Sequence, residues 1–342
     1  MTDKRKRRVL IVSDAWHPQV NGVVRTLEWL AREAPAFGIE VAMLTPDMFW
    51  SVPMPTYPEI RLSLAMPGTI ARRIEDLAPD AIHIATEGPL GFLARRYCLR
   101  NRRAFTTCYH TRFPEYLAAR IPLPMSWTYA ALRWFHNGAD ATLVATRTLQ
   151  TEMRAQGFRK LKVWKRGVDL PLFQSGQRVE ASLPRPIALY VGRIAVEKNI
   201  EAFLTIDMPG TKMVVGDGPA RNDLETRFPT VRFMGLRSGP ELADLYASAD
   251  VFVFPSRTDT FGLVMLEALA AGTPVAALPV TGPNEVLGSS GCGVMDEDLD
   301  KATRAALEIP RERCRNFASR FGMRESAASF FAHVVGTLGC DA

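Results

Sequence analysis

Short apolar runs alternate along this chain with longer stretches of helical periodicity. In the first half the runs are Val9–Ser13, Val41–Leu44, Ala81–Ile84, Phe105–Cys108 and Ala141–Ala145. They are short and β-rich, and Val9–Val12, Val41–Leu44 and Leu143–Ala145 are apolar at successive positions rather than alternate ones, which predicts strands buried on both faces. Val23–Ala36 spaces its apolar residues as a helix does. In the second half strands are predicted at Ile187–Val191, Lys212–Val215, Val231–Phe233, Val251–Phe254 and Pro274–Ala277. Helices are predicted at Asn199–Thr205, Ala220–Arg227, Pro240–Ser248, Phe261–Ala271 and Asp300–Leu307, and Ala318–Leu338 reads as a terminal helix. Buried strands separated by helices predict an α/β protein with parallel, doubly wound, Rossmann-like sheets.

The scheme occurs twice. Between the halves, Leu170–Pro186 holds Pro171, Gly176, Pro184 and Pro186 and has no periodic apolar face, so it reads as a linker. The expected division is an N-terminal domain at 1–170, a linker at 171–186, a C-terminal domain at 187–320 and a last helix at 321–342. A chain of 342 residues is too long for one ordinary core. Such sheets take ligands beyond the carboxyl ends of their strands, so two facing domains are expected to make a cleft.

Composition narrows the class. The chain is 47% hydrophobic and 23% charged, as soluble globular proteins are. No apolar run reaches the roughly 20 residues of a membrane span. Val9–Val12 is too short for the apolar stretch of a secretory leader, so none is expected. The five cysteines, Cys98, Cys108, Cys292, Cys314 and Cys340, are scattered without a C-x-x-C pair. That pattern points to reduced thiols in a cytoplasmic protein and to no structural zinc. Net charge is +6, with much of the excess in Lys4-Arg5-Lys6-Arg7-Arg8. The run is either a solvated tail or a patch attracted to anionic lipid. No nucleic-acid-binding signature accompanies it.

The candidate chemistry sits just after strands. Val251–Phe254 runs into a polar loop carrying Asp259, and the next helix carries Glu267. Two acids beside the N–H groups of a helix start suit a sugar joined to a diphosphate. Gly192-Arg193 follows another strand, with Lys198 close behind near a helix start. Two cations there can neutralise a diphosphate without a metal. Gly216-Asp217-Gly218-Pro219 reads as a tight turn into a helix. Asp296-Glu297-Asp298 precedes a helix and reads as N-terminal charge rather than as a metal site.

Acid-x7-acid in PSRTDTFGLVMLEALAAGTPV, with G-R-x4-K and G-x-G-P upstream, resembles the E-x7-E motif of the retaining GT-B glycosyltransferases, family 4-like. The family usually places Glu where this chain has Asp259. The resemblance covers nearly the whole chain, and it implies two Rossmann-like domains facing across a cleft. The last helix would return to the N-terminal domain. By matching position, Arg193 and Lys198 bind the donor diphosphate and Asp259 meets the transferred hexose. Glu267 accepts from the ribose, and the amides of Phe261, Gly262 and Leu263 face phosphates and sugar. Gly22 lets backbone approach the diphosphate, Gly192 belongs to the donor-binding G-R-x4-K element, and backbone at Gly235 and Leu236 lies beside the base. His110, in YHTRFPEY, matches an active-site histidine that touches the sugar. The implied catalytic set is Arg193, Lys198, His110 and Asp259. His17, Glu87, Arg112 and Tyr116 are candidates for the acceptor side.

HPQVNGVVRTLEWL, EGPLG and YHTRFPEY look like the bacterial branch that includes sulfoquinovosyl- and glucuronosyl-diacylglycerol synthases. The expected reaction is transfer of a hexose or hexuronic acid, UDP-linked, to diacylglycerol with retention. The alternatives are a GDP-mannose-dependent mannosyltransferase acting on lipid or polysaccharide, a nucleotide-sugar epimerase and a hydrolase. The nucleotide sugar is a co-substrate, and neither a resident cofactor nor a metal is expected. The aromatic and basic segment Tyr116–Phe135 reads either as the packing face of a core helix or as a membrane interface. The expected partners are a nucleotide sugar, a lipid or glycan acceptor and an anionic membrane surface, with no nucleic acid. The expected location is cytoplasmic, on the inner face of the membrane.

Overall fold

The computed structural model describes residues 6–19, 21–54, 57–110, 112, 114, 124–257, 259 and 261–336, with backbone alone for 57–59. The chain forms two compact units, Met1–Lys165 with Arg324–Ala342, and Arg166–Met323.

The first unit is built on six parallel strands: β1 (Arg7–Val12), β2 (Ile39–Leu44), β5 (Ala81–Ile84), β6 (Phe105–Cys108), β7 (Ala141–Val144) and β8 (Leu161–Val163), in the order β2-β1-β5-β6-β7-β8. A separate antiparallel hairpin joins β3 (Ser51–Met54) and β4 (Tyr57–Ser63). Its helices are α1 (Gly22–Glu33), α2 (Pro67–Leu77), α3 (Pro89–Arg100), α4 (Met125–His136), α5 (Arg147–Ala155) and the carboxyl-terminal helix Met323–Gly336. Leu10, Val12, Ile82 and Ile84 of the sheet pack against Ile70 and Ile74 of α2 and Leu90 and Ala94 of α3. Such continuous burial explains why these strands lack polar alternation.

The second unit repeats the plan with β9 (Ile187–Val191), β10 (Thr211–Val215), β11 (Arg232–Gly235), β12 (Val251–Phe254), β13 (Val275–Ala277) and β14 (Gly293–Met295). Their order is β11-β10-β9-β12-β13-β14, all parallel. The order reverses at β9 and β12, where such sheets open a crevice for ligands. The helices are α6 (Leu170–Gln174), α7 (Ile200–Leu204), α8 (Arg221–Arg227), α9 (Gly239–Ser248), α10 (Leu263–Ala270), α11 (Thr281–Val286), α12 (Leu299–Ala306) and α13 (Arg311–Ala318). The terminal helix of the first unit is α14.

Three stretches differ from the sequence-based expectation. The segment 170–186 is not irregular throughout. It opens with α6 and is tied to α9, because Gln177 N–H donates to Asp244 (2.7 Å) and Val179 N–H to Ser248 Oγ (2.9 Å). A side chain at Gly176 would strike the carbonyl of Ala243 at 2.4 Å, so glycine permits this close approach. Ala318–Leu338 is not one helix. The chain leaves α13, forms a bridge between Gly322 and Val168, and only then enters α14; Val168 N–H donates to Phe321 O at 2.9 Å. The hairpin β3–β4 and the edge strands β8 and β14 have no counterpart in the apolar-run pattern.

Candidate active site

In the second unit the loops after β9 and β12 lie at the point of reversal. Gly192-Arg193 leaves β9 and reaches a 3-10 turn, Val196–Lys198. Lys198 Nζ donates to Asp259 Oδ1, on the loop after β12, at 2.6 Å. Asn199 Nδ2 donates to Pro255 O at 3.0 Å, a second tie between the same loops. Burial alone would push the Asp259 carboxyl up. The Lys198 charge and hydrogen bond, with the Ser256 hydroxyl, outweigh it and hold the group below the ordinary carboxylate value. Asp259 is therefore ionised beside a cation, at the sheet position where a ligand belongs.

Just beyond, α10 begins at Leu263. Gly262 has φ 83°, and a side chain there would meet Met265 Cε at 2.7 Å and Phe254 Cζ at 3.0 Å. No described side chain caps this helix; Met265 N–H donates to Gly262 O at 3.0 Å, and a helix start of this kind is where an anion binds. Just over one turn in, Glu267 is buried and accepts from the Tyr246 hydroxyl of α9 at 2.9 Å. The tyrosine orients this carboxylate at a depth where a bare charge would be costly.

The Gly216-Asp217-Gly218-Pro219 turn fits against the β9 loop. Gly216 has φ 139°, and any Cβ would fall 1.9 Å from Gly192 O. Ile194 N–H donates to Asp217 O at 2.9 Å, and Gly216 N–H to Gly235 O at 2.9 Å. Leu236 follows with its side chain exposed. Arg193 is partly buried, and its carbonyl accepts from the Tyr190 hydroxyl at 2.8 Å.

In the first unit Gly22 opens α1, as its position after β1 requires. Asn21 caps that helix, however, accepting from Val23 N–H (2.9 Å) and Val24 N–H (3.0 Å). Those two amides are occupied, which confines any backbone approach to Gly22 itself. Glu87 and His110 follow the neighbouring strands β5 and β6. Glu87 Oε1 lies 3.0 Å from Nε2 of the buried His136, and His110 packs edge-on to Trp164 with ring centroids 6.3 Å apart. His17 pairs with Glu28 of α1 at 2.6 Å, and Arg112 pairs with Glu152 of α5. Tyr116 lies outside the described residues.

Three residues had no signal in the sequence. Asp14, after β1, is buried and accepts from the N–H groups of Leu90 (2.8 Å) and Gly91 (3.2 Å) at the start of α3. Tyr246 holds Glu267, and His136 holds Glu87. Each acts on a residue distant in sequence, and no local pattern encodes such a pairing.

Asp298 caps α12, accepting from Asp300 N–H at 2.9 Å and Lys301 N–H at 3.2 Å. Asp296 pairs with Lys301 and Glu297 with Arg257. Among the described residues no three His, Cys, Asp or Glu side chains gather as a cation cage. No described helix is long and apolar enough to cross a membrane. Trp127 and Trp134 of α4 are 68% and 59% exposed, and the Arg95 guanidinium lies 3.8 Å over the Trp134 ring. Cys98, Cys108, Cys292 and Cys314 are buried free thiols.

Comparison with known proteins identifies the family and the fold. The profile "Glycosyltransferase Family 4" matches residues 20–171, and "Glycosyl transferases group 1" matches residues 185–310. A sulfoquinovosyl transferase of Arabidopsis thaliana is 32% identical over 83% of this chain, which spans 62% of that protein's length. A GDP-mannose-dependent alpha-mannosyltransferase of Mycobacterium tuberculosis is 32% identical over 84% of this chain and 83% of its own. Among solved structures, Anabaena HepE in complex with UDP and glucose superposes with a TM-score of 0.74 at 16% identity, covering 96% of this chain and 100% of HepE. Sucrose-phosphate synthase from Thermosynechococcus elongatus gives 0.71 at 20% identity, with 97% of each chain covered. The two parallel sheets are thus those of the GT-B fold, and the chain belongs to the family 4, group 1 glycosyltransferases as a hexosyltransferase.

Proposed function

We propose that this protein transfers a hexose from a UDP-linked donor to the hydroxyl of diacylglycerol, with retention of configuration and without a metal. The observation that carries the reading is the Lys198–Asp259 pair, set where the strand order reverses and next to the start of α10, which no described side chain caps. Lys198 and Arg193 neutralise the departing diphosphate, aided by the amides of Phe261, Gly262 and Leu263. Asp259 accepts from a hexose hydroxyl, and Glu267, oriented by Tyr246, accepts from the ribose. Gly235 and Leu236 back the base, and His110 touches the sugar. The anomeric carbon–oxygen bond to the diphosphate breaks. The acceptor oxygen bonds to that carbon on the same face, and its proton passes to the departing diphosphate.

Support for a lipid acceptor comes from the exposed Trp127 and Trp134 of α4, aromatic side chains suited to a membrane interface. The name of an alpha-monoglucosyldiacylglycerol synthase from Streptococcus pneumoniae, 27% identical, agrees with it. We place the protein on the inner face of the cytoplasmic membrane. A second reading, mannosyl transfer from GDP-mannose, is favoured by the mycobacterial relative, of which this chain covers 83%.

The test combines melting with transfer. UDP should raise the melting temperature as its concentration passes the dissociation constant. Labelled sugar from UDP-glucose or UDP-glucuronate should then appear on diacylglycerol in anionic vesicles that also sediment the protein. Stabilisation by GDP alone, with transfer from GDP-mannose, would select the second reading. Sugar released into water without an acceptor product would mark a hydrolase. Stabilisation by neither nucleotide would overturn both transferase readings.

A further inference from the structure

Glu87 and His136 form a polar unit inside the first unit that nucleotide binding does not use. Glu87 lies in the loop between β5 and α3 with its side chain 19% exposed, while His136, the last residue of α4, is 1% exposed. His136 Nε2 is 3.0 Å from Glu87 Oε1, and Nδ1 is 2.9 Å from Thr107 Oγ1 on β6. Thr107 Oγ1 is in turn 2.9 Å from Thr142 Oγ1 on β7. The imidazole is enclosed by Phe135, Tyr109 and Phe158. Arg95 pins the end of α4, donating from Nε to Phe135 O (2.9 Å) and from an η nitrogen to Trp134 O (2.7 Å).

An ionised carboxylate only accepts, so Nε2 carries the proton that faces Glu87. The ring cannot turn without breaking its bond to Thr107 inside an apolar cage, where each lost bond is costly. One oxygen of Glu87 is thereby fixed. Its other oxygen has no protein donor among the described residues. This is a pre-set acceptor for one O–H, after the strand next to the one that leads to His110.

We propose that Glu87 accepts from the hydroxyl of an electrically neutral acceptor as it binds, a contact the hydroxyl gives up when its proton passes to the departing diphosphate, and that His136 is the positioning residue that aims Glu87. The assignment rests on the hexosyl-transfer reading and deepens its acceptor half. The charge of the neighbourhood sets the class of acceptor. Asp14, after β1 on the other side of β5, interacts electrostatically with Glu87. An anionic group placed at Glu87 would meet a carboxylate, whereas a neutral hydroxyl donates to it.

The experiment uses the full chain in mixed micelles, with dioctanoylglycerol or phosphatidylinositol as acceptor and UDP-glucose or GDP-mannose as donor. Glu87→Gln should lower kcat/KM for the neutral acceptor by about 10- to 100-fold, the range for losing a hydrogen bond to a charged group. The loss should fall on acceptor KM and leave the nucleotide-induced melting shift unchanged. His136→Gln keeps an amide near Nε2 and His136→Asn keeps one near Nδ1. The first should retain more acceptor affinity than the second, although both disturb packing. Equal losses in the two His136 variants, wild-type acceptor KM in E87Q, or equal use of phosphatidylinositol would overturn the proposal. A spectroscopic readout needs no turnover. Dioctanoylglycerol should shift the His136 Nε2–H resonance in the wild type but not in E87Q, and an unmoved wild-type resonance also overturns it. Failure of the broader reading has its own signature, a wild type that no nucleoside diphosphate stabilises.

Discussion

Lys198 and Asp259 come from distant parts of the sequence, yet each explains the other's state. Without the ammonium at 2.6 Å, burial would govern Asp259 and push its carboxyl up. The sign of the linkage follows. A depressed carboxyl contributes stability that is present above the unfolded value, about 3.9, and is lost as pH falls through the lower folded value. Lys198→Ala removes the depressing charge. Its acid limb of activity should therefore move to higher pH than in the wild type. The same variant should lose about 10²–10³ in kcat, the usual cost of removing one electrostatic stabiliser of a leaving group. Lys198→Arg should restore part of the rate and return the acid limb toward its wild-type position. A K198A rate profile that superimposes on the wild type would remove Lys198 from both roles.

At the scale of elements, the loops that build the site are stapled by residues that are not part of it. Asp14 caps α3 from outside that helix, and its backbone N–H returns a bond to Thr86 Oγ1 at 2.7 Å. Asp14→Ala orphans the amides of Leu90 and Gly91 and should cost about 1–3 kcal/mol of stability. Burial raises the Asp14 carboxyl above its ordinary value against those hydrogen bonds. The raised value means that the folded state holds the proton more tightly than the unfolded chain. Wild-type stability should therefore fall as pH climbs from the ordinary carboxylate value through the raised one. Urea unfolding across that window should show the slope in the wild type and not in D14A. The central strands were legible because burial on both faces leaves an unbroken apolar run, as in Ile187–Val191 and Val251–Phe254. Ser51–Met54 was not, since its side chains are exposed or half-exposed and Pro53 interrupts it. Leu161–Val163 and Gly293–Met295 are three-residue edge strands, too short for a period to register. Of the candidate site, Lys198, Asp259 and Glu267 could be singled out from the sequence because they lie after strands at motif spacing. Tyr246, His136 and Asp14 were not, because their partners are set by tertiary packing.

For the whole molecule, the consequence of two units is that the motif residues divide between them. Lys198, Asp259, Glu267 and the glycine turns all belong to the second unit, whereas Glu87 and His110 belong to the first. The first unit depends on the far end of the chain. Trp164 Nε1–H donates to Ser326 O at 3.1 Å, and Phe330 of α14 packs on Trp164 and His83. Phe330 is wholly buried, so Phe330→Ala should remove about 3–5 kcal/mol from the unit that contains it. If the units melt separately, the F330A transition that moves down should be the one a nucleoside diphosphate does not raise. The nucleotide should still stabilise the other transition by the wild-type increment, because none of its expected contacts except Gly22 and His110 lies in the first unit. Differential scanning calorimetry of F330A with and without UDP reads both shifts in one experiment. A nucleotide increment that disappears along with Phe330 would place the donor's main contacts in the first unit and contradict the assignment built on Lys198 and Asp259.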